Sequence, residues 1–208
     1  MKAYIFDLDG VLVHTDRLHY QAWKKLADEL SIPFDEKINH RLRGVSRMDS
    51  LDIILENSTK VFSKDEKWEL AEKKNDIYVK LLSRMSKQDV SYEVLDTLVK
   101  LKEKGYLLGI ASSSRNAKTI LKRVELLDEF DVISDGTNIK ESKPNPEVFL
   151  KAAEMLNISP QECFGIDDAV AGIDAANAAG MKSIGYGDSA SYEKCDLAIA
   201  SFYDLLNL

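Results

Sequence analysis

The stretch AYIFDLDG, residues 3–10, places two carboxylates two positions apart at the end of a short apolar run. The run 3–6 is uncharged and rich in residues that favour β-structure, which is typical of a central strand in a parallel sheet. A strand buried on both faces cannot hold two carboxylates, so we expect Asp7 and Asp9 to lie past its carboxyl end. In open α/β sheets this is the edge at which ligands bind. The alternative is that Asp-x-Asp-Gly is only a turn, since Asp and Gly favour turns.

The composition of this 208-residue chain, 45% hydrophobic and 30% charged, is that of a globular protein. Its net charge of −7 argues against nucleic acid or an anionic membrane surface as a partner. No apolar run approaches the roughly 20 residues that cross a bilayer, and no signal segment is evident, so we expect a cytoplasmic protein. Cys163 and Cys195 have no metal-ligand spacing and suggest no disulfide framework. We also expect a monomer.

Strand-like and helix-like patterns alternate along most of the chain. Strands are predicted at 3–6, 106–111, 130–134, 162–166, 182–186 and 197–200. Helices are predicted at 91–104, 116–127, 146–156 and 169–179. This alternation predicts an α/β fold, a doubly wound parallel sheet of Rossmann-like type with right-handed crossovers.

Residues 16–88 interrupt the alternation. They contain helical patterns at 16–30, 46–56 and 64–85 and no strand candidate. More than seventy residues without a strand are too many for one crossover, so we expect a helical cap domain at 16–88 inserted into a core of 1–15 and 89–208. The alternative is a single α/β domain with a long helical crossover.

Polar side chains follow several predicted strands, or precede the next helix, and should meet at one edge of the sheet. They are Asp7, Asp9, the run Ser112–Ser114, Lys143, Asp167 and Asp168. Four carboxylates in contact repel one another and are costly to desolvate. A divalent cation resolves this conflict, and hard oxygen ligands with space for a phosphate indicate Mg²⁺.

Two of these residues also have an ordinary structural interpretation. Taken alone, Lys143 reads as a solvated lysine near the start of a helix, although four convergent carboxylates make this unfavourable. Asp168 could be the N-cap of the helix at 169–179, and it could serve as both cap and ligand.

As a set, Asp7-x-Asp9-Gly10, Ser112, Lys143-Pro144 and Asp167-Asp168 resemble the motifs of the haloacid dehalogenase superfamily of phosphotransferases. The resemblance implies that Asp7 is the nucleophile that forms an aspartyl-phosphate and that Asp9 is the general acid/base. Ser112 and Lys143 would hold the transferring phosphoryl oxygens. One Mg²⁺ would be bound by Asp7, Asp9, Asp167 and Asp168.

The chemistry of phosphoryl transfer is consistent with these roles. It needs an in-line nucleophile and neutralisation of charge on the equatorial oxygens. A carboxylate attacks a phosphate well only when a metal and an ammonium group offset their repulsion, as Mg²⁺ and Lys143 would. A second acid can protonate a leaving alcohol and later deprotonate an attacking one.

The predicted cap contains a loop suited to an anion. The loop 43–47, Arg-Gly-Val-Ser-Arg, is basic, contains a hydroxyl and a glycine, and precedes a helix. Arg47 could meet Ser114, Arg115 and Asn116 of the core. His19 and Lys74 lie on predicted cap helices, and the pattern alone favours a surface position, most strongly for Lys74.

Motifs of both the cap and the core also resemble the β-phosphoglucomutases of this superfamily. The matching segments are Thr15-x-x-x-His19-x-x-x-Trp23, Gly44-Val45-Ser46-Arg47-x-Asp49-Ser50-Leu51, Lys74-Asn75-Asp76 and Ser112-x-Ser114-x-Asn116. The resemblance implies interconversion of β-D-glucose 1-phosphate and glucose 6-phosphate, with β-glucose 1,6-bisphosphate as intermediate and activator.

The same resemblance implies substrate-binding residues. Arg47, Ser114 and Asn116 would hold the non-transferring phosphate. His19, Lys74 and the loop Gly44-Val45-Ser46 would contact the sugar or couple its binding to closure of the cap. Thr15 would sit at the hinge near Asp9. Arg43, Ser113 and Arg115 complete the candidates.

Three departures from the family pattern leave other activities open. Arg43 and Arg115 stand where lysines are expected, and Asp167 stands where a glutamate is expected, which shortens the reach to Mg²⁺ by one methylene. The main alternative is an Mg²⁺-dependent sugar-phosphate phosphatase of the same superfamily. A dehalogenase needs no phosphate-binding lysine, hydroxyl and Mg²⁺ set, and a non-catalytic binding module needs no complete set of reactive groups, so both are disfavoured.

Overall fold

The apolar run that opens the chain forms β1 (Ala3–Phe6), which lies between β2 (Leu107–Ala111) and β4 (Cys163–Asp167). This computed structural model describes residues 1–42 and 45–208. The sheet has six strands in the order β3-β2-β1-β4-β5-β6, with β3 at Val132–Ser134, β5 at Lys182–Tyr186 and β6 at Leu197–Ile199. All five pairings are parallel, so the carboxyl ends of the six strands lie at the same edge of the sheet. The predicted doubly wound sheet is confirmed.

Helices connect these strands, as the alternating pattern predicts. They are α5 (Tyr92–Glu103), α6 (Ala117–Arg123), α7 (Glu147–Leu156) and α8 (Val170–Ala178). Small residues allow α8 to approach the sheet, since a Cβ on Gly165 of β4 would lie 2.8 Å from the Cβ of Ala176. The absence of a side chain at Gly165 therefore lets the later part of α8 pack closely against β4.

β1 is buried on both faces, and its side chains alternate between two apolar layers. Ala3 and Ile5 belong to the cluster formed with α7 and α8. Tyr4 and Phe6 point into an aromatic layer, in which the ring centroids of Tyr4 and Phe164 are 4.9 Å apart. Charged side chains have no place along such a strand, so the first carboxylate of the chain follows directly after it.

The chain divides into two compact units, one of residues 1–14 and 85–208 and the other of residues 15–84. The second unit contains α1 (Asp16–Glu29), α2 (Glu36–His40), α3 (Arg47–Leu55) and α4 (Lys64–Leu82). Its own core is built around Trp23, Leu26, Leu51 and Ile54. No strand occurs in the described part of this unit.

Most element bounds differ from the sequence-based predictions by one to three residues. The short helix α2 lies in a segment for which no element was predicted. Its N-cap is Asp35, whose Oδ1 accepts a hydrogen bond of 2.9 Å from the backbone N–H of Ile38. None of the helices in the described ranges is both long and apolar enough to span a membrane.

Candidate active site

The turn after β1 places Asp7 at the edge of the sheet. The backbone N–H of Asp7 donates a 2.8 Å hydrogen bond to the carbonyl of Ile166 on β4, and the residue is 8% exposed. Gly10 has a φ of +97°, which favours glycine, and a Cβ there would overlap the carboxylate of Asp168. The segment is therefore a turn, as the alternative interpretation had it. It also brings the carboxylate of Asp168 close to the backbone that follows Asp7.

Lys143 lies directly on Asp7. Its Nζ donates to Asp7 Oδ1 and, at 2.8 Å, to Asp167 Oδ2. The lysine side chain is only 5% exposed. Lys143 is thus not the solvated lysine that its local sequence suggests. It is a buried cation between two carboxylates on neighbouring strands.

The pKa values of Asp7 and Lys143 are both raised, but for different reasons. Burial raises the pKa of Asp7 well above its usual value; Lys143 opposes this shift, and the carboxylates of Asp167 and Asp9 add to it. For Lys143, burial favours the neutral amine, but the attraction of Asp167 and Asp7 outweighs it and raises the pKa. Lys143 is therefore charged at neutral pH, while Asp7 needs a nearby positive charge to remain ionised.

Three carboxylates at this edge could hold a metal ion together. Oxygen atoms of Asp7, Asp167 and Asp168 all lie within 4.8 Å of one another. Mg²⁺ takes oxygen ligands at about 2.0–2.1 Å in an octahedron, so ligands on opposite sides of the ion are about 4.2 Å apart. The donor set and its spacing fit Mg²⁺ after small side-chain adjustments.

Glycines leave room for these carboxylates. A Cβ on Gly172 in the first turn of α8 would overlap the carboxyl group of Asp167, so only glycine allows this side chain its place. Asp167 Oδ1 also accepts a 3.0 Å hydrogen bond from the N–H of Ala169. The helix begins at Val170 with Ala169 as its N-cap, so the suggestion that Asp168 caps it is wrong.

The loop after β2 presents a run of hydroxyls. Ser112 is 1% exposed, and its Oγ accepts a 3.1 Å hydrogen bond from the N–H of Ser114. Ser114 Oγ in turn accepts from the N–H of Asn116 at 3.1 Å. The Oγ of Ser113 is buried and has no hydrogen-bond partner among the described residues, and Arg115 is exposed. The hydroxyl protons of Ser112 and Ser114 are not used in these two bonds.

Asp9 and Thr15 stand outside the three-carboxylate group. Asp9 is partly exposed and forms a bridge with Val13, and its charge still acts on Asp7. Thr15 is fully buried, and its carbonyl accepts hydrogen bonds from the first turn of α1. It is the first residue of the helical unit.

Within the helical unit, Lys74 and His19 form a buried pair. Lys74 is 3% exposed, although its sequence context favours the surface. Its Nζ lies 2.9 Å from Nδ1 of His19 and 4.6 and 4.7 Å from the ring centroids of Trp23 and Tyr78. The His19 ring stacks on Tyr78 with a centroid distance of 4.0 Å. Aromatic faces and an imidazole nitrogen thus stabilise the ammonium group away from water.

The surroundings of His19 keep it neutral. Burial lowers its pKa well below the usual value, and the positive charges of Lys74 and Arg47 lower it further. A neutral ring can accept a hydrogen bond at Nδ1 from the Lys74 ammonium, which fixes the tautomer with the proton on Nε2.

Arg47 is the first residue of α3 and the last residue of the predicted anion-binding loop 43–47. Its Nη1 donates a 2.7 Å hydrogen bond to Glu72 Oε1, with the arginine side chain 20% exposed. Ser46 is the N-cap of α3, since its Oγ accepts from the N–H of Asp49. Val45 is exposed. Arg43 and Gly44 lie outside the described residues.

Two residues of this unit were missed in the sequence, Tyr78 and Glu72. Tyr78 follows Lys74 by four positions on α4 and so lies on the same helix face, a spacing that the sequence does show. The pairing of Glu72 with Arg47 joins two helices, and the sequence carries no local signal for it.

The structure therefore brings Asp7, Lys143, Asp167 and Asp168 together in one unit and His19, Lys74 and Arg47 into neighbouring positions in the other. A family model for haloacid dehalogenase-like hydrolases matches residues 1–180. The chain belongs to this family. The superfamily resemblance drawn from its motifs is thereby confirmed.

Two relatives carry different activities in their names. β-Phosphoglucomutase of Bacillus subtilis is 42% identical over 207 residues, which cover 99% of this chain and 92% of that protein. Phosphorylated carbohydrates phosphatase of Thermotoga maritima is 33% identical over 88% of this chain and 84% of that protein. The mutase is more similar to this chain than the phosphatase is, both in sequence identity and in the share of the chain that is matched.

A solved structure gives the same result for the fold. β-Phosphoglucomutase from Clostridium difficile superposes with a TM-score of 0.92 at 43% identity, covering 99% of this chain and 93% of that one. The likeness extends over both compact units.

Proposed function

We propose that this protein is a β-phosphoglucomutase that interconverts β-D-glucose 1-phosphate and glucose 6-phosphate. The observation that carries the proposal is the contact of Asp7 with Lys143 beside two further carboxylates, in a chain that is 42% identical to a β-phosphoglucomutase over 99% of its length. The contact supports phosphoryl transfer to a carboxylate, and the extent of the match supports the mutase.

In the proposed reaction Asp7 starts as an aspartyl-phosphate, formed when it takes a phosphoryl group from added β-glucose 1,6-bisphosphate. Asp9 takes the proton from the 6-hydroxyl of β-glucose 1-phosphate, whose oxygen attacks this phosphorus while the bond from phosphorus to Asp7 breaks. The sugar then carries two phosphates, as β-glucose 1,6-bisphosphate, and Asp7 is free. In the second step an oxygen of Asp7 attacks the phosphorus at position 1, the bond from that phosphorus to the sugar oxygen breaks, and Asp9 donates its proton to the leaving oxygen. Glucose 6-phosphate is released and the aspartyl-phosphate is restored.

Lys143 and Ser112 bind the oxygens of the group being transferred. The ammonium of Lys143 already touches Asp7, so it lies beside the attacking oxygen and the phosphoryl group that this oxygen receives. Ser112 has a hydroxyl proton to donate from the neighbouring strand end. The same loop offers two further candidates. The Oγ of Ser113 is buried, and the side chain of Arg115 is exposed.

Asp7, Asp167 and Asp168 would hold one Mg²⁺. Three ionised carboxylates and one ammonium group have a formal net charge of −2, which a divalent cation would balance. When bound, Mg²⁺ withdraws charge from the phosphoryl oxygens and offsets their repulsion from the nucleophile. Asp9 would be a further ligand, as the superfamily resemblance implies.

In the helical unit, Arg47 would bind the phosphate that is not transferred, as the resemblance to β-phosphoglucomutases implies. A dianionic phosphate competes with the Glu72 carboxylate for the Arg47 guanidinium. The buried ammonium of Lys74 and the neutral ring of His19 would hydrogen-bond sugar hydroxyls. Val45 and Ser46 would line the same ligand.

The second candidate is a sugar-phosphate phosphatase, which the Thermotoga relative favours. To separate the two, purified protein is incubated with β-glucose 1-phosphate, Mg²⁺ and a trace of β-glucose 1,6-bisphosphate. Glucose 6-phosphate and inorganic phosphate are then measured in parallel. We expect glucose 6-phosphate to form with little inorganic phosphate. Release of one phosphate for each substrate consumed would instead assign a phosphatase.

A further inference from the structure

The turn that follows β5 holds the backbone of the proposed metal ligands. This turn spans Gly187–Ser191, and its central residue Ser189 is fully buried. Ser189 Oγ lies 2.6 Å from the carbonyl oxygen of Asp167, and the N–H of Ser189 donates a 3.0 Å hydrogen bond to the carbonyl of Asp168. One residue therefore binds two successive peptide groups of another strand.

The hydroxyl of Ser189 has one proton to donate, and geometry assigns it to Asp167. A second carbonyl, that of Tyr186, is farther away at 3.2 Å, while the N–H of Tyr186 donates to Ser189 Oγ at 3.1 Å. The hydroxyl thus accepts from its own turn and donates across to β4. The direction of the hydroxyl is fixed at both ends.

These two bonds act on the point at which the chain leaves β4 for α8. Rotation of the peptide planes there would swing the side chains of Asp167 and Asp168 apart. The Asp168 carboxylate packs against Gly10, so even a slight displacement of this carboxylate would make it clash with the turn after β1. Metal sites depend on such outer contacts, and losing one typically costs 10–100-fold in metal affinity.

We propose that Ser189 is a positioning residue for the metal site, although it lies outside every motif that marks the family in this sequence. The inference rests on the proposed function in one respect, that Asp167 and Asp168 bind a divalent cation. Ser189 touches neither the ion nor the substrate. It fixes the two carbonyls, and through them the directions of both carboxylates.

The test measures metal binding itself. The full chain is stripped of metal, and its affinity for Mn²⁺, as a paramagnetic substitute for Mg²⁺, is measured by electron paramagnetic resonance and calorimetry. We expect Ser189→Ala to weaken Mn²⁺ binding about 10–100-fold. Ser191→Ala, at an exposed serine of the same turn, is the matched control and should stay within about twofold of the wild type.

A split between kinetic parameters separates positioning from general loss of structure. With Ser189→Ala, the Mg²⁺ concentration for half-maximal activity should rise, while the rate at saturating Mg²⁺ recovers to near that of the wild type. Ser189→Cys keeps the size of the side chain but donates poorly, and it replaces the alanine variant if that one does not fold. Circular dichroism without metal checks the fold of each variant.

The outcomes separate the two proposals. A folded Ser189→Ala protein that binds Mn²⁺ as tightly as the wild type would overturn the role of Ser189 and leave the mutase proposal standing. Weakened Mn²⁺ binding in a protein that releases phosphate rather than isomerising its substrate would support Ser189 and overturn the mutase. A wild-type chain that binds no Mn²⁺ would overturn both.

Discussion

Replacing Lys143 by methionine, which has a similar length and no charge, is the most informative perturbation of the core site. Lys143 is the ammonium between Asp7 and Asp167, and its Nζ lies 2.8 Å from Asp167 Oδ2. Two unit charges at this separation attract by about 6 kcal/mol at an effective dielectric constant of about 20. Desolvating the ions costs several kcal/mol each, so the intact arrangement contributes little net stability.

Removing only the lysine changes this balance. Asp7 and Asp167 then remain buried without a counter-charge, and we expect the free energy of unfolding to fall by about 3–5 kcal/mol at pH 7 without Mg²⁺. Activity should fall by about 10²–10³-fold, in the range seen when one preorganised electrostatic contact is removed.

The loss of stability should depend on pH with a definite sign. Burial already raises the pKa of Asp7 well above its unfolded value of 3.8, and the absence of Lys143 removes the interaction that lowers it. A carboxyl with a raised pKa takes up a proton on folding, so its penalty is absent below the unfolded pKa and grows as the pH rises through the folded pKa. The difference between variant and wild type should therefore shrink as the solution is acidified, and also when Mg²⁺ is added.

Urea unfolding followed by far-ultraviolet circular dichroism measures these differences at pH 7.5 and pH 5, with and without Mg²⁺. Lys151→Met is the matched control, because Lys151 pairs with Glu154 on the surface of α7 and should contribute less than about 1 kcal/mol. The reasoning is refuted if the two variants lose equal stability, or if the deficit of Lys143→Met is unchanged by both acid and Mg²⁺.

Three further predictions concern single residues. Arg47→Ala should lower mutase kcat/KM by about 30- to 5,000-fold, since losing a charged phosphate contact costs roughly 2–5 kcal/mol, yet leave phosphorylation by acetyl phosphate nearly unchanged. Equal losses in both assays, with Arg41→Ala as the surface control, would contradict the assigned role. Asp9→Asn should keep the fold and slow turnover about 10²–10⁴-fold, and near-normal turnover would exclude Asp9 as the acid/base. The pKa of His19 is lowered in the folded state, so on acidification the unfolded chain takes up a proton at a higher pH than the folded chain does. The free energy of unfolding should therefore fall as the pH drops below about 6.5, by up to about 1.4 kcal/mol per pH unit. His19→Gln should flatten that part of the urea-unfolding profile, and an unchanged slope, with exposed His40→Gln as the control, would show that His19 is not buried neutral.

The core unit could be predicted from the sequence to a large extent, because its chemistry is tied to local pattern. Each apolar run forms a strand, and the polar residues at the strand ends converge once the strands are parallel. The placement of Asp7 and Asp167 follows from this rule. Lys143 lies in the segment between β3 and α7, and its local sequence alone suggests a solvated lysine rather than a partner of both carboxylates. The bounds of the elements are less certain, since the energy of adding one residue to a helix end is small.

What the sequence does not show depends on partners from distant segments. Lys74 sits among charged neighbours on α4 and reads as exposed, yet Trp23 of α1 and the ring of His19 cover it. Asp168 reads as a helix cap, but the backbone turn after β4 gives that position to Ala169. Ser189 has no distinguishing neighbours in the sequence, and its bonds to β4 become evident only in the folded chain.

The central position of β1 has a consequence for the order in which the protein folds during synthesis. Ala3 pairs with Leu107 on one side and with Cys163 on the other, so this strand is made before both of its neighbours. The helical unit, whose contacts are local, lies between them in the chain and emerges complete before either neighbour. Until then a fully apolar strand remains without partners. The nascent chain is therefore most exposed to aggregation through β1, and Asp7, the proposed nucleophile, is not brought together with Asp167 until β4 has left the ribosome.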